Sequence, residues 1–317
     1  MHPYWDCFTE PILSCLHPRA IVEIGSEAGK TTQVLLAFCQ KHEATLHAID
    51  PVPTFDVAAW QEKYGTRFVF HRSVSIAALP TIAHYDVVLI DGDHNWYTVF
   101  HELKLIEKRS VTTSQPFPLV LLHDVGWPYG RRDLYYNPAS IPDAYRHPYE
   151  RKGLRHGTET LQKQGGINAR LCHATTENTP RNGVLTAVED FLTETPLALE
   201  WLFVPGFHGL GILYPAELKQ ENRSFAEILE TWALPAPLKQ YIERLEAARL
   251  TLSTALWDRD YDRRMRETEW QQKYRQLNAE KQRLSIALQS TVAELEKARH
   301  PIRNRPETTH PGSSEDP

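Results

Sequence analysis

One stretch constrains this 317-residue chain more than any other: Ala20-Ile-Val-Glu-Ile-Gly-Ser-Glu-Ala-Gly29, followed by Lys30-Thr-Thr-Gln-Val-Leu-Leu-Ala-Phe38. A β-branched run enters a glycine turn and then a helix-like segment, the way an α/β domain opens a nucleotide site. Gly25 can take positive φ and let the backbone approach a ligand, and Gly29 lets the helix start pack close to the strand. Spacing argues against two ligand chemistries. A phosphate-binding P-loop needs four residues between its first glycine and Gly-Lys-Thr, and only three separate Gly25 from Gly29-Lys30-Thr31. A dinucleotide fingerprint needs glycine where Glu27 stands, and a carboxylate there would face a pyrophosphate.

Strand-like runs alternate with helical patterns through the first half: Ala20 to Ile24, Thr45 to Ile49, Phe68 to His71, Asp86 to Ile90 and Leu119 to Leu122. Such alternation predicts an α/β fold around a mostly parallel, Rossmann-like sheet. Trp96, Val99, Phe100, Leu103 and Ile106 recur at helical spacing and read as one stripe covering that sheet. Leu199 to Val204 and Leu210 to Tyr214 flank Pro205-Gly-Phe-His-Gly209 and predict an antiparallel hairpin.

The stretch from about Gly126 to Gly183 is too long for an ordinary connection. Its aromatics, Trp127, Tyr129, Tyr135, Tyr136, Tyr145 and Tyr149, favour an inserted lid over a disordered insertion. From Leu238 onward Leu, Glu, Arg, Gln, Lys and Ala dominate. Leu238, Ile242, Leu245, Leu252 and Leu256 share one heptad seam, with Arg249 intruding. Trp270, Tyr274, Leu277, Leu284, Leu288 and Leu295 make a second, offset seam. Two imperfect heptad blocks predict a long helix that self-associates as a coiled coil or docks back on the domain. The expected organisation is a domain over 1–215 with its lid insertion, a helical region over 216–299 and a disordered tail over 300–317.

Composition narrows the partners. A formal charge of −5 gives no electrostatic footprint for nucleic acid. The four cysteines, at 7, 15, 39 and 172, show no C-x-x-C spacing, which fits a reducing interior and no zinc site. The N-terminal residues lack a basic region followed by an apolar one, and no run of about 18 apolar residues occurs. The expectation is a soluble, cytoplasmic protein without a membrane span.

Ligands of open α/β sheets bind outside the carboxyl ends of the strands, and those ends are polar here. They supply Glu23 and Gly25, then Asp50, Ser73, Asp91-Gly-Asp-His94, and His123-Asp124. Glu23-x-Gly25-x-x-x-Gly29 with Asp50 resembles the first motif of class I S-adenosylmethionine methyltransferases, whose ligand carries a sulfonium and no phosphate. Acidic Glu23 and Glu27 are tolerable beside such a ligand. The resemblance implies that Gly25 to Gly29, Ser26 included, run along the amino-acid moiety and ribose. Asp50 would accept both ribose hydroxyls, with Ser73 and Asp91 completing the cofactor side.

Asp91, His123 and Asp124 end two neighbouring strands, so their side chains could converge on one ion with positions open for substrate oxygens. Tyr85-Asp-Val-Val-Leu-Ile-Asp-Gly-Asp-His94 and Leu119-Val-Leu-Leu-His-Asp-Val125 resemble metal-dependent O-methyltransferases of the catechol type and, more closely, those acting on sugars and glycans. The resemblance covers roughly residues 15 to 125 and the hairpin, which closes the sheet edge in that fold. It implies Asp91 and Asp124 as ligands of a divalent cation, Mg²⁺ or Mn²⁺, and a nearby base for the accepting hydroxyl. His123 departs from the acidic residue often found there; imidazole suits Mn, Fe or Zn better than Mg. It can serve as a ligand or orient one from outside.

For the base, His94 titrates nearer neutrality than Asp93. Against that stand a capping role for Asp93 and a packing role for His94 under the lid. Methyl transfer to oxygen needs water excluded, which gives the lid a use. Trp127 and Tyr129 offer faces for sugar rings, and Arg131 and Arg132 could hold a phosphate or carboxylate, or merely pair with lid carboxylates. The expected protein is an S-adenosylmethionine-dependent O-methyltransferase of a sugar, glycan precursor or related small molecule. The alternative is an inactive, methyltransferase-like scaffold organised by its C-terminal helix.

Overall fold

Five largely apolar runs specify a sheet covered on both faces, and all five form strands. In the computed structural model, which describes residues 1–299, they are Ala20–Ile24 (β1), Thr45–Ile49 (β2), Phe68–His71 (β3), Val87–Ile90 (β4) and Leu119–His123 (β5). β4 starts one residue later than expected, although the Asp86 backbone still bonds to Ala20 and Leu119 and its carboxylate accepts the N–H groups of Arg19 and Ala20 at 2.7 and 3.1 Å. The five are parallel in the order β3-β2-β1-β4-β5. Leu199–Val204 and Leu210–Pro215 form the expected hairpin, and the second of these strands pairs antiparallel with β5.

Side chains alternate across the strands, so each strand feeds two cores. Val22, Ile24, Val88 and Val120 point to one face, with Val99, Leu103 and Ile106 of the helix Trp96–Thr113 and Val188 and Phe191 of the helix Val184–Glu194. Ile21, Leu46, Leu89 and Leu121 point to the other, with Ile12 of Glu10–Leu16, Leu35 and Leu36 of Lys30–His42, and Phe225 of Arg223–Trp232. Chain order reverses between β1 and β4, and that switch point opens the crevice in which such sheets bind ligands.

The insertion is folded. It carries a second sheet made of Leu134–Tyr135 (β6), Tyr149–Arg151 (β7) and Cys172–Ala174 (β8), ordered β6-β8-β7. Its anchor is the fully buried Asp133, whose carboxylate accepts the N–H of Trp96 and of Gly183, both at 2.7 Å, and the Tyr135 hydroxyl at 2.8 Å. Three donors on one buried carboxylate satisfy a charge that would otherwise be costly. They tie the lid to the start of Trp96–Thr113. Asn95, not Asp93, caps that helix, accepting Thr98 N–H at 2.9 Å, while Asp93 takes the Thr98 hydroxyl at 3.0 Å.

The compact unit runs from Met1 to Asp258, past the expected boundary at 215. It therefore contains the first part of the long helix Ala236–Arg299. Within it Leu238, Leu245, Leu252 and Leu256 are exposed, and the buried positions are Leu250 and Thr254. The expected seam is thus not the packed face, because the helix is bolted down through Arg249 and Glu246 instead. The second unit begins at Arg259, and its Trp270, Tyr274, Leu277, Leu284, Leu288 and Leu295 are all exposed. The tail expected over 300–317 lies outside the described residues. No described helix is long and apolar enough to cross a membrane.

Glu102, on Trp96–Thr113, is fully buried without a hydrogen-bond partner, and burial pushes its carboxyl up from 4.5 to about 8. The folded protein keeps this proton where the unfolded chain has released it, so the stability it contributes is lost as pH rises from 4.5 to 8. Glu102→Gln should flatten that decline in melting temperature; parallel curves for the two proteins would disprove the assignment.

Candidate active site

The polar strand ends converge on one cavity of about 840 Å³, large for a small-molecule site, where roughly 300–1,000 Å³ is usual. Its floor is the glycine turn. Gly25 has φ +87°, and a Cβ there would run into the backbone carbonyl of Asp91, so only glycine lets the turn lie against the end of β4. Gly29, at φ +74°, starts Lys30–His42 under the Trp60 ring and does not reach the cavity.

Asp50 holds the turn in shape. Its Oδ2 accepts Ser26 N–H at 3.0 Å and Glu27 N–H at 2.8 Å, and its Oδ1 accepts Val52 N–H at 2.7 Å. A carboxylate has about four acceptor sites, so one is left. The glycine turn and Val52 occupy the rest, so both hydroxyls of a ribose would have to share that site or displace a backbone donor. Glu23 is 2 % exposed, lies behind the turn rather than in the cavity, and burial pushes its carboxyl up to about 8. Ser26, Ser73 and Asp91 line the cavity as expected.

Beside the turn, Asp91, His94, His123 and Asp124 bring one ligand atom each to within 4.8 Å of the others. His123 and Asp124 are consecutive, and side chains of consecutive strand residues normally diverge. Here Asp124 takes φ +58°, and its Oδ2 ends 2.7 Å from His123 Nδ1 and 2.8 Å from His94 Nε2. Asp91 Oδ1 lies 3.0 Å from His123 Nδ1 and 3.8 Å from His94 Nε2. The Met1 ammonium pairs with Asp91 Oδ2.

Each imidazole is held from behind. His123 Nε2 donates to the Phe207 carbonyl at 3.0 Å, and His94 Nδ1 lies 3.4 Å from the Tyr136 hydroxyl. Burial opposes charge on His123, but the carboxylates of Asp124 and Asp91 outweigh it and push the imidazole up to about 9. Burial likewise opposes charge on Asp91, and the His123 imidazole and the Met1 ammonium overcome it and hold the carboxyl well below its usual range. Each histidine therefore compensates the carboxylates as a cation would.

Two imidazole nitrogens and two carboxylate oxygens, with the far nitrogen of His123 fixed by a backbone carbonyl, suit a divalent ion of the first transition series better than magnesium. His94, assigned from sequence only as a base, is part of this group.

The lid contributes unevenly. Tyr129 lines the cavity, its hydroxyl accepting from Asn168 Nδ2 at 2.5 Å and its ring 5.2 Å from that of His94. Trp127 does not line it; the ring packs edge-on against His156. Arg131 and Arg132 are also turned elsewhere. Arg131 pairs with Glu189, its Nη2 2.7 Å from Oε1, and Arg132, 1 % exposed, donates to the Ala174 and Glu159 carbonyls at 2.5 Å and pairs with Glu177 at 3.2 Å. Both guanidiniums hold the fold together, which removes them as anion ligands. Arg249, Ser253 and Trp257 line the cavity from the long helix, a contribution the sequence reading missed. Their i, i+4, i+8 spacing marks one helix face, but nothing in their chemistry singled them out.

Residues 22–125 match a family model described as a methyltransferase domain. Among solved structures, a Podospora anserina methyltransferase with S-adenosylhomocysteine bound is 17% identical, with a TM-score of 0.40 over 65% of this chain and 76% of that one. A Burkholderia thailandensis 1,6-didemethyltoxoflavin-N1-methyltransferase is 16% identical, with a TM-score of 0.36 over 68% of this chain and 82% of that one. No curated protein matches the sequence. Residues 22–125 are thus similar to a methyltransferase domain.

If the four-residue cluster holds a cation, Mn²⁺ or Zn²⁺ should raise the melting temperature by several degrees, and Mg²⁺ should raise it less. His123→Ala and Asp124→Ala should each abolish the shift. Equal melting curves with and without all three ions would remove the cation from this site.

Proposed function

We propose that the protein transfers the methyl group of S-adenosylmethionine to a hydroxyl of a sugar, glycan precursor or related small molecule, with a divalent cation at Asp91, Asp124 and His123. The observation that carries this reading is the juxtaposition, in one cavity, of a glycine turn free of phosphate-binding features and a carboxylate–imidazole cluster at the adjacent strand ends. S-adenosylmethionine supplies an electrophilic methyl group on a sulfonium. A bound cation supplies polarisation of the accepting oxygen and, by like charge, disfavours the imidazolium form of His94.

The chain's own residues do the rest. The Gly25–Ala28 backbone and the remaining acceptor site of Asp50 position the donor, and Ser73 to Ile76 line the cavity beyond them. His94 turns Nε2 toward the cluster, beside Asp124, so that Nε2 takes the hydroxyl proton, while Tyr136 beside Nδ1 orients the ring. Asp93, engaged by the Thr98 hydroxyl, supports the same loop. The folded lid, with Tyr129 and Tyr136, keeps water out.

Calorimetry with S-adenosylhomocysteine, with and without Mn²⁺, tests the donor site, and methyl transfer to catechol and methyl glycosides tests the acceptor. Binding in the micromolar range with methylated product supports the reading; a folded protein that binds neither returns it to a scaffold. Asp50→Ala should weaken S-adenosylhomocysteine binding by about tenfold or more, since the turn loses the anchor of three N–H groups. His94→Ala should lower turnover by roughly a hundredfold, within the usual range for a lost general base, with donor affinity unchanged. Equal losses of both would mark His94 as structural.

We also read the exposed seam of Leu277, Leu284, Leu288 and Leu295 as a self-association surface. Replacing Leu284 and Leu288 with Glu should lower the mass measured by light scattering to that of a monomer. A monomeric wild type would refute this.

A further inference from the structure

The cavity has a wall that none of the strand-end chemistry accounts for. Arg249, Ser253 and Trp257, one face of the helix Ala236–Arg299, line it together with Ile167 and Asn168 of the lid. This wall is built, not incidental. Asp258, the residue after Trp257, accepts the Gly166 N–H through Oδ1 and the Arg155 guanidinium through Oδ2, both at 2.6 Å. Gly165 packs so closely on that carboxylate that a Cβ would collide with it. Two residues beyond Gly166, Asn168 donates to the Tyr129 hydroxyl, so one chain of contacts runs from the helix through the lid to the aromatic ring beside His94.

At its other end the same face is bolted to the hairpin turn. Glu246 Oε1 accepts the His208 N–H at 3.0 Å, and Arg249 lies 3.3 Å from His208 Nε2, whose Nδ1 donates to the Trp127 carbonyl at 2.9 Å. The helix face is thus fixed at both ends. Yet Trp257 itself remains 47 % exposed, a large apolar ring left open on a cavity wall.

Arg249 brings no free charge to this wall. Its guanidinium meets both Glu246 oxygens at 2.6 Å and lies over the Phe207 ring at 5.3 Å from its centroid. An anionic acceptor would have to break that pair to be recognised here, whereas an aromatic platform beside the Ser253 hydroxyl suits an uncharged ring bearing hydroxyl groups.

We propose that Trp257, held in place by Asp258 and the lid, is the platform of the acceptor subsite, and that the acceptor is a neutral, ring-bearing polyol or phenol. This rests on the O-methyltransferase reading above. In the full-length protein, Trp257→Ala should raise the KM for catechol or a methyl glycoside roughly tenfold, the effect of losing an aromatic contact, with a smaller change in kcat. S-adenosylhomocysteine affinity should stay within twofold, and Trp257→Phe should recover most of the loss.

The charged counterparts, 3,4-dihydroxybenzoate and methyl glucuronide, should be the poorer acceptors. An unchanged KM in Trp257→Ala, or a preference for the charged acceptors, overturns the proposal while leaving methyl transfer intact. Donor binding without product from any of the four acceptors overturns the O-methyltransferase reading instead, and this proposal with it.

Discussion

The approach of Gly25 to the backbone carbonyl of Asp91 is the constraint on which the rest of the site depends. It sits at the switch point, where β1 is flanked by β2 on one side and β4 on the other. Any side chain at Gly25 would push the turn off the end of β4. With the turn seated there, the loop that holds Asp50, the loop that holds Asp91 and His94, and Asp124 at the end of β5 all open into the same cavity, so the proposed donor would lie within reach of the proposed acceptor. Proximity of this kind lowers a bimolecular barrier by prior ordering, without any strong chemistry from the protein.

The second organising feature is electrostatic. Two carboxylates this close would repel if nothing stood between them. The charge is balanced by imidazoles that those same carboxylates push toward their protonated forms. The left-handed backbone at Asp124 is the local cost of turning two consecutive side chains toward one point. Such strain persists only where surrounding structure holds it, and here β5, the hairpin turn at Phe207 and His94 all do so.

Much of this was legible in the chain. The strands, the hairpin and the helix Trp96–Thr113 follow from periodicity and turn residues, because those signals are local. The convergence of Gly25, Asp50, Asp91, His94, His123 and Asp124 follows from one topological rule about strand ends. What escaped were the partners set by distant sequence. Arg132 could not be matched in advance to Glu177 and to the carbonyls of Glu159 and Ala174, since those meet only once the lid has folded. The first heptad seam is not the face that packs on the domain, for a related reason. Periodicity says which residues share a helix face, but which face packs was decided by the hairpin turn and the lid loop, through Glu246, Arg249 and Asp258.

The lid and the helix also differ in how they are held, and that difference bears on how the cavity works. Asp133 fixes the base of the insertion through buried, fully satisfied hydrogen bonds, which exchange poorly with water and keep β6 and Tyr135 in place. The outer loop of the insertion is held at Asp258, partly through an exposed pair with Arg155, which contributes little by itself. The rim and the helix face at Trp257 are thus held by the same residue, Asp258, whereas the glycine turn is anchored separately by Asp50.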